Sequence, residues 1–214
     1  MTEGTGSILF ADAWIVAVDK PSGLLSVPGI GPEKADCLVA RLQTVHPGVR
    51  IVHRLDRDTS GAIVLARDAE VHRALSMQFE ARTVGKSYEA LVAGHVARDE
   101  GEIDLPLRKE ALGSARQIVH PDGKPSVTRY EVVACGRDDG GLAWTRVALF
   151  PKTGRSHQLR VHLLALGHPI LGDELYADPA AHAARPRLCL HARRLEVDHP
   201  ATGARLAFEA PCPF

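Results

Sequence analysis

Two segments of this sequence carry side chains that could do chemistry. The first, IVHRLDRDTSG at 51–61, crowds Arg54, Asp56, Arg57 and Asp58 onto what reads as a tight loop between two apolar strands. Rigid strands on both sides hold such a loop still, as a catalytic group requires. A carboxylate held there can serve as a nucleophile or base. The same pattern also suits a solvated turn with surface ion pairs, and Asp56 with Asp58 suits a two-acid glycosidase. The second segment is PKTGRSHQLRVHLLALGHPILGD at 151–173, where Gly154 permits a sharp entry and Ser156 can cap a helix. His157, Arg160 and Leu164 then share one helix face beside a leucine stripe. Arg160 sits at the edge of the buried surface, where it can snorkel or meet a buried carboxylate in a bidentate pair.

Other chemistries find less support. Eleven histidines invite a metal reading, yet there is no HExxH, and His157 and His162 are five apart and poorly placed to share a helix face. No metal is expected. Neither GxGxxG nor GxxxxGK[ST] occurs, and the glycines of PSGLLSVPGIGP are wrongly spaced to cradle phosphate, so no nucleotide cofactor is expected either.

The elements that must position these groups follow from pattern. ILFADAWIVAVDKPSGLLSVPG reads as two short apolar strands, a Pro-Ser-Gly loop and another short strand. Asp36 can cap a helix bearing Leu38, Leu42 and Val45, which Pro47-Gly48 ends. IVHRL and GAIVLARD read as strands, and Asp68 caps a second helix with Val71, Leu75 and Phe79 inward. KSYEALVAG, VTRYEVVACG, LAWTRVALF, RLCLHARRLEV and ARLAFEAP alternate as strands, separated by turns such as HPDGKP and GRDDGG. The third helix, SHQLRVHLLALG, turns Leu159, Leu163 and Leu166 inward before a glycine stop. Many strands, few helices and no repeated strand-helix alternation predict an α+β fold: a largely antiparallel mixed sheet with a few flanking helices.

Composition sets the frame. A chain of 214 residues with 45% hydrophobic content can bury a substantial core, as one domain or two joined lobes. The start MTEGTGSILF lacks the pattern of a secretory signal and no apolar run is long enough to span a bilayer, so the expectation is a cytoplasmic protein with no membrane partner. Cys37, Cys135, Cys189 and Cys212 are scattered and read as reduced. Basic and acidic residues balance at 26 each, so a nucleic-acid partner would have to be met by a local basic surface. Arg73, Arg82, Lys86, Arg108, Lys109, Arg116 and Lys124 are candidates for it, or simply solvated charges.

HRLDRDTSG, KSYEALV and PKTGRSHQLRVHLLALGHPILGD together resemble the RluA family of pseudouridine synthases, and VDKPSGLLSVPG is similar to that family's first motif. The resemblance runs from about Ile8 to the C-terminus in the family's order. It implies a single catalytic domain over 1–214 with a central RNA-binding cleft and no appended S4-like domain. It implies that Asp56 is the essential aspartate, that Arg160 pairs with it, that Tyr88 stacks on the flipped uracil and that Arg54 helps displace the base. Lys86, Arg155 and His157 join Arg54 as substrate-binding candidates. The implied enzyme is a monomer that needs no cofactor.

The implied partner is a structured RNA. The subgroup that gives the family its name modifies both a 23S rRNA hairpin and the anticodon stem-loop of certain tRNAs, and this chain resembles it most. Loops such as 108–126 could redirect the enzyme to another rRNA site. Against a non-catalytic RNA-binding or ribosome-assembly module stands the intact set of Arg54, Asp56, Tyr88 and Arg160. A hydrolase of nucleosides or glycans would need a separate acid and base flanking a sugar.

Overall fold

The computed structural model describes Gly4 and residues 6–214. Part of the N-terminal stretch on which the reading of a missing signal rests lies outside the described residues. The chain packs as two compact units, one running up to Lys86 together with His191–Pro213, the other Ser87–Leu190 with Phe214.

In the first unit β1 (Ile8–Ala11) pairs antiparallel with β2 (Ile15–Lys20), and β2 with β4 (Ser60–Ala66). Every residue of β4 is buried, as suits the continuous apolar run SGAIVLA. Short β3 (Arg50–Ile51) pairs with the far end of β4, while β11 (Leu190–Asp198) lies parallel to its start and antiparallel to β12 (Arg205–Glu209). Helix α2 (Ala69–Ala81) covers this sheet with Val71 and Leu75, and Asp68 caps it by accepting the Val71 N–H at 2.8 Å, as the sequence predicts.

Four expectations in this unit change. The strand expected at LLSVPG is a single parallel bridge between Leu25 and Cys37. Asp36 does not cap α1 (Leu38–Gln43), because its carboxylate is held in a two-pronged pair by Arg41, Nε at 2.7 Å and Nη2 at 2.5 Å. The first helical donors go instead to main-chain oxygens, Leu38 N–H to Leu25 at 2.8 Å and Val39 N–H to Ser26 at 3.3 Å. Val45 lies past the end of this helix and is exposed. The strand predicted over IVHRL stops at Ile51 because a side chain takes over the ladder: His53 Nε2 accepts the Val64 N–H at 3.2 Å.

The second unit is an antiparallel sheet in the order β5 (Gly85–Ala93), β10 (Ala143–Pro151), β9 (Val127–Arg137), β6 (Glu100–Asp104), with β5 beginning in the first unit. A separate two-stranded hairpin joins β7 (Leu107–Lys109) to β8 (Gln117–Val119). The polar-rich sequences of β6, β7 and β8 hid all three from pattern reading. Short α4 (Pro179–Ala183), capped by Asp178, was also not anticipated. Helix α3 (Gln158–Ala165) buries six consecutive residues, Gln158–Leu163, so it is surrounded and not merely striped. Leu159 and Leu163 join the core with Leu166 at its margin, and Gly167, at φ 91°, ends the helix. Taken strand by strand, this is the α+β, mostly antiparallel architecture expected.

Candidate active site

The loop carrying Asp56 is clamped by the opening segment DKPSGLLSV. Lys20 is completely buried, and its ammonium donates to the carbonyls of Pro21 at 2.8 Å, Leu24 at 2.7 Å and Arg57 at 2.9 Å. Ser26 grips the Leu55 peptide at both ends, its hydroxyl donating to the Leu55 oxygen at 2.7 Å and accepting the Leu55 N–H at 3.1 Å. Ser22 donates to the Asp58 carbonyl at 2.7 Å, and the Gly23 N–H to that of Arg57 at 2.9 Å. All of these bonds reach main-chain atoms, which fixes the loop and leaves its side chains to other tasks. Arg57 and Asp58 form an exposed ion pair at 2.9 Å, the solvated-turn part of the sequence reading. Arg54 is exposed and Asp56 half-buried.

The far end of the loop is anchored as firmly. Gly61 has φ 116°, and a Cβ there would stand 2.2 Å from the Ala192 oxygen, so only glycine lets β4 meet β11. Beside it the buried Ser60 hydroxyl bonds His191 Nδ1 at 2.8 Å, while His191 Nε2 donates to the Ala210 oxygen at 3.1 Å. This dyad is a buried strut. His53 stacks on Phe79 with centroids 4.5 Å apart, and burial, with the Lys86 charge second, pushes its pKa down to about 3. It is therefore neutral and able to accept. Burial, followed by the Arg82 charge, lowers the Lys86 ammonium from its ordinary value. Lys86 is thus brought beside the HRLD segment, as a half-buried cation.

Tyr88, Arg155, His157 and Arg160 belong to the second unit. Tyr88 is half-buried on β5 and packs against the core cluster. Arg160 is only 4% exposed, not at an edge, and the buried carboxylate it meets is Asp173, completely covered, where the family resemblance implied Asp56. Nε reaches Oδ2 at 2.7 Å and Nη2 reaches Oδ1 at 2.5 Å, a bidentate pair. Asp173 Oδ1 also accepts the N–H groups of Leu175 at 2.9 Å and Tyr176 at 3.1 Å. Gly172 before it has φ 75°, and a Cβ there would lie 1.8 Å from the Arg187 oxygen, so a side chain at this position is barred.

Ser156 does not cap α3. The N-cap is His157, in the left-handed region at φ 52°, and the entry is organised by Gln158. Gln158 Oε1 accepts from the Thr153 hydroxyl at 2.8 Å and the Arg155 N–H at 3.0 Å, and its Nε2 donates to the Val127 oxygen and Thr128 Oγ1, both at 3.0 Å. The Arg155 side chain reaches toward the Pro125 carbonyl at a long 3.4 Å. His157 Nδ1 lies 2.7 Å from the Tyr176 hydroxyl. Sequence reasoning gave no role to Lys20, Ser26, Gln158, Asp173 or Tyr176. Lys20, Ser26, Gln158 and Asp173 lie in quoted motifs and lacked only a partner, while Tyr176 lies three residues past the last motif and carried no signal.

The RNA pseudouridylate synthase family model matches residues 14–165, which take in the Asp56 loop, β5 and α3. The chain belongs to the RNA pseudouridylate synthase family. A dual-specificity RNA pseudouridine synthase of Escherichia coli K12, RluA, is 49% identical over 208 residues, covering 97% of this chain and 93% of that protein. Among solved structures, human RNA pseudouridylate synthase domain containing 1 superposes with a TM-score of 0.82 at 31% identity, over 97% of this chain and 84% of that one. Human RNA pseudouridylate synthase domain containing 4 gives 0.76 at 27%, over 97% and 88%. As an RNA pseudouridine synthase the chain is an isomerase, converting uridine in RNA to its C5-linked form.

For this pseudouridine synthase the Lys20 clamp makes a prediction. Lys20→Met keeps the buried stem and removes the ammonium that ties Pro21, Leu24 and Arg57 together. Misplacing a reacting group by about 1 Å costs about 10²-fold, so kcat should fall by that order while RNA affinity, measured by filter binding, stays within a small factor. Unchanged kcat would mean that the loop holds its shape without this charge.

Proposed function

We propose that this pseudouridine synthase acts on single stem-loops, in 23S rRNA and in the tRNA anticodon arm, with Asp56, Tyr88 and Arg160 as its catalytic residues. Arg54, Lys86, Arg155 and His157 serve substrate binding. The observation that carries the substrate choice is 49% identity over 97% of the chain to an enzyme whose name records dual specificity. The residue roles rest on the motif resemblance and on local setting: a loop fixed through its main chain at Asp56, and a guanidinium held in a buried pair at Arg160. We further propose that the chain works as one catalytic domain, a monomer in the cytoplasm. The family match supports the single domain by running through segments of both units.

The chemistry makes clear what is required. Isomerisation breaks the C1′–N1 bond, turns the uracil and rejoins it through C5, with no net redox change and no group transferred away. An ionised carboxylate can attack C1′, add to C6 or take the C2′ proton, and each route needs one well-placed Asp56. A uridine within a folded hairpin must first be flipped out, at a cost of a few kcal/mol of lost stacking. Stacking on an aromatic ring returns about 1–3 kcal/mol, the task assigned to Tyr88, while Arg54, exposed on the loop, fills the vacated place.

Flipping is cheapest where bases are already poorly stacked, so recognition should centre on the loop. A minimal hairpin copied from the anticodon arm is expected to be modified about as well as the full tRNA. Changing its loop should abolish turnover, and swapping its stem pairs should not. An inert hairpin beside a reactive intact tRNA would overturn the single-stem-loop reading, and released uracil would point to a hydrolase.

A further inference from the structure

The β7–β8 hairpin pairs only three residues from each strand, forms a sheet of its own and is too short to be stable alone. Its orientation therefore depends on what it is fastened to. Leu107 at its base is buried in a small cluster with Val161 of α3 and Tyr176. Beyond the base the exposed charged side chains are mostly basic, Arg108, Lys109 and Arg116, the last ion-paired with Glu110 at 3.6 Å, and Leu112 at the tip stands fully in solvent.

Tyr176 is the fastening. Its hydroxyl accepts the Gln117 N–H of β8 at 2.8 Å and lies 2.7 Å from His157 Nδ1 at the start of α3. Both contacts are satisfied when the phenol donates to Nδ1, which puts the His157 ring proton on Nε2. Burial raises the phenol above its ordinary value, so it keeps the proton it donates. The Arg116 guanidinium lies 5.3 Å from the ring centroid and that of Arg160 5.0 Å, so one ring contacts the hairpin and the proposed catalytic arginine. The Tyr176 N–H is itself held by Asp173.

We propose that Tyr176 is a positioning residue that pins the basic β7–β8 hairpin to the start of α3, so that the hairpin holds RNA in fixed register with His157 and Arg160. The inference rests on the reading of the chain as a stem-loop pseudouridine synthase. RNA is the partner because Arg108 and Lys109, the cations outside the Arg116–Glu110 pair, complement phosphates, and an exposed leucine on such an arm can wedge against unpaired bases.

The test compares Tyr176→Phe, the pair Arg108→Ala with Lys109→Ala, and all three changes together, on a stem-loop substrate. Tyr176→Phe removes two hydrogen bonds, and the one to the Gln117 N–H is the bond that ties down the hairpin; its loss corresponds to about a fivefold change, so KM should rise by that factor and the single-turnover rate at saturating RNA should stay within about twofold. The paired alanines should raise KM by about tenfold, and adding Tyr176→Phe should bring little more, because both act through one arm. Hydrogen exchange in Tyr176→Phe should quicken across 107–119, the Gln117 amide foremost, and nowhere else. Additive KM effects, a loss confined to kcat, or unchanged exchange at Gln117 would each overturn the proposal. RNA binding measured in an Asp56→Asn background separates the arm from the chemistry, and Tyr176→Phe should weaken it there by the same factor. A wild-type protein that binds the stem-loop through this arm but forms no pseudouridine would overturn the proposed substrate while supporting the hairpin's role.

Discussion

Asp56→Asn is expected to lower pseudouridine formation by at least about 10⁴-fold, the scale on which removing one member of a catalytic set acts. The substitution keeps the shape of the side chain and removes its charge, so any route in which the carboxylate attacks or takes a proton is closed. Melting should be unchanged. The bonds that hold this loop run from Lys20, Ser22 and Ser26 to the main chain of Leu55, Arg57 and Asp58, and none of them is made by the Asp56 carboxylate. RNA affinity should hold or rise slightly, since a negative charge near the phosphates disappears. Pseudouridine yield, a melting curve and filter binding on one preparation decide it, and retained turnover would remove Asp56 from the chemistry.

How much of this was legible in sequence depended on whether a partner was near in the chain. Asp68 capping Val71 and the glycine stop of α3 are local, and pattern reading finds them. Asp36 looked equally good as a cap, but Arg41, five residues on, offered its carboxylate a charged pair, and main-chain oxygens from Leu25 and Ser26 took the helix start. That competition is invisible without the fold. Lys20 shows the opposite failure: sequence reading gave this lysine no role, yet at the end of β2 it is completely buried because three carbonyls converge on it. At Arg160 the sequence posed the right alternatives, snorkelling or a bidentate pair. Asp173 was within the same quoted segment, and what brings it onto the guanidinium is the turn at Gly172, whose left-handed φ no spacing rule reports.

That pair gives the largest expected loss of stability. Arg160→Met keeps most of the side chain's volume and leaves the Asp173 carboxylate fully buried with its guanidinium gone. Breaking one side of a buried pair costs about 3–5 kcal/mol. For a chain of this size that is roughly 6–20 °C in Tm. Two main-chain donors, from Leu175 and Tyr176, still reach Oδ1, which places the cost at the lower end of that range. Adding Asp173→Asn removes the stranded charge while its amide oxygen can keep both N–H bonds, so Arg160→Met with Asp173→Asn should recover much of the lost Tm. Activity should not return with it, because the guanidinium proposed to serve the reaction is still absent. Recovery of both stability and turnover would reduce Arg160 to a structural role, and an unchanged melting curve for Arg160→Met alone would mean that the pair contributes nothing to the fold. Stability restored without turnover is the outcome that assigns Arg160 two separate tasks, one met by Asp173 and the other by RNA.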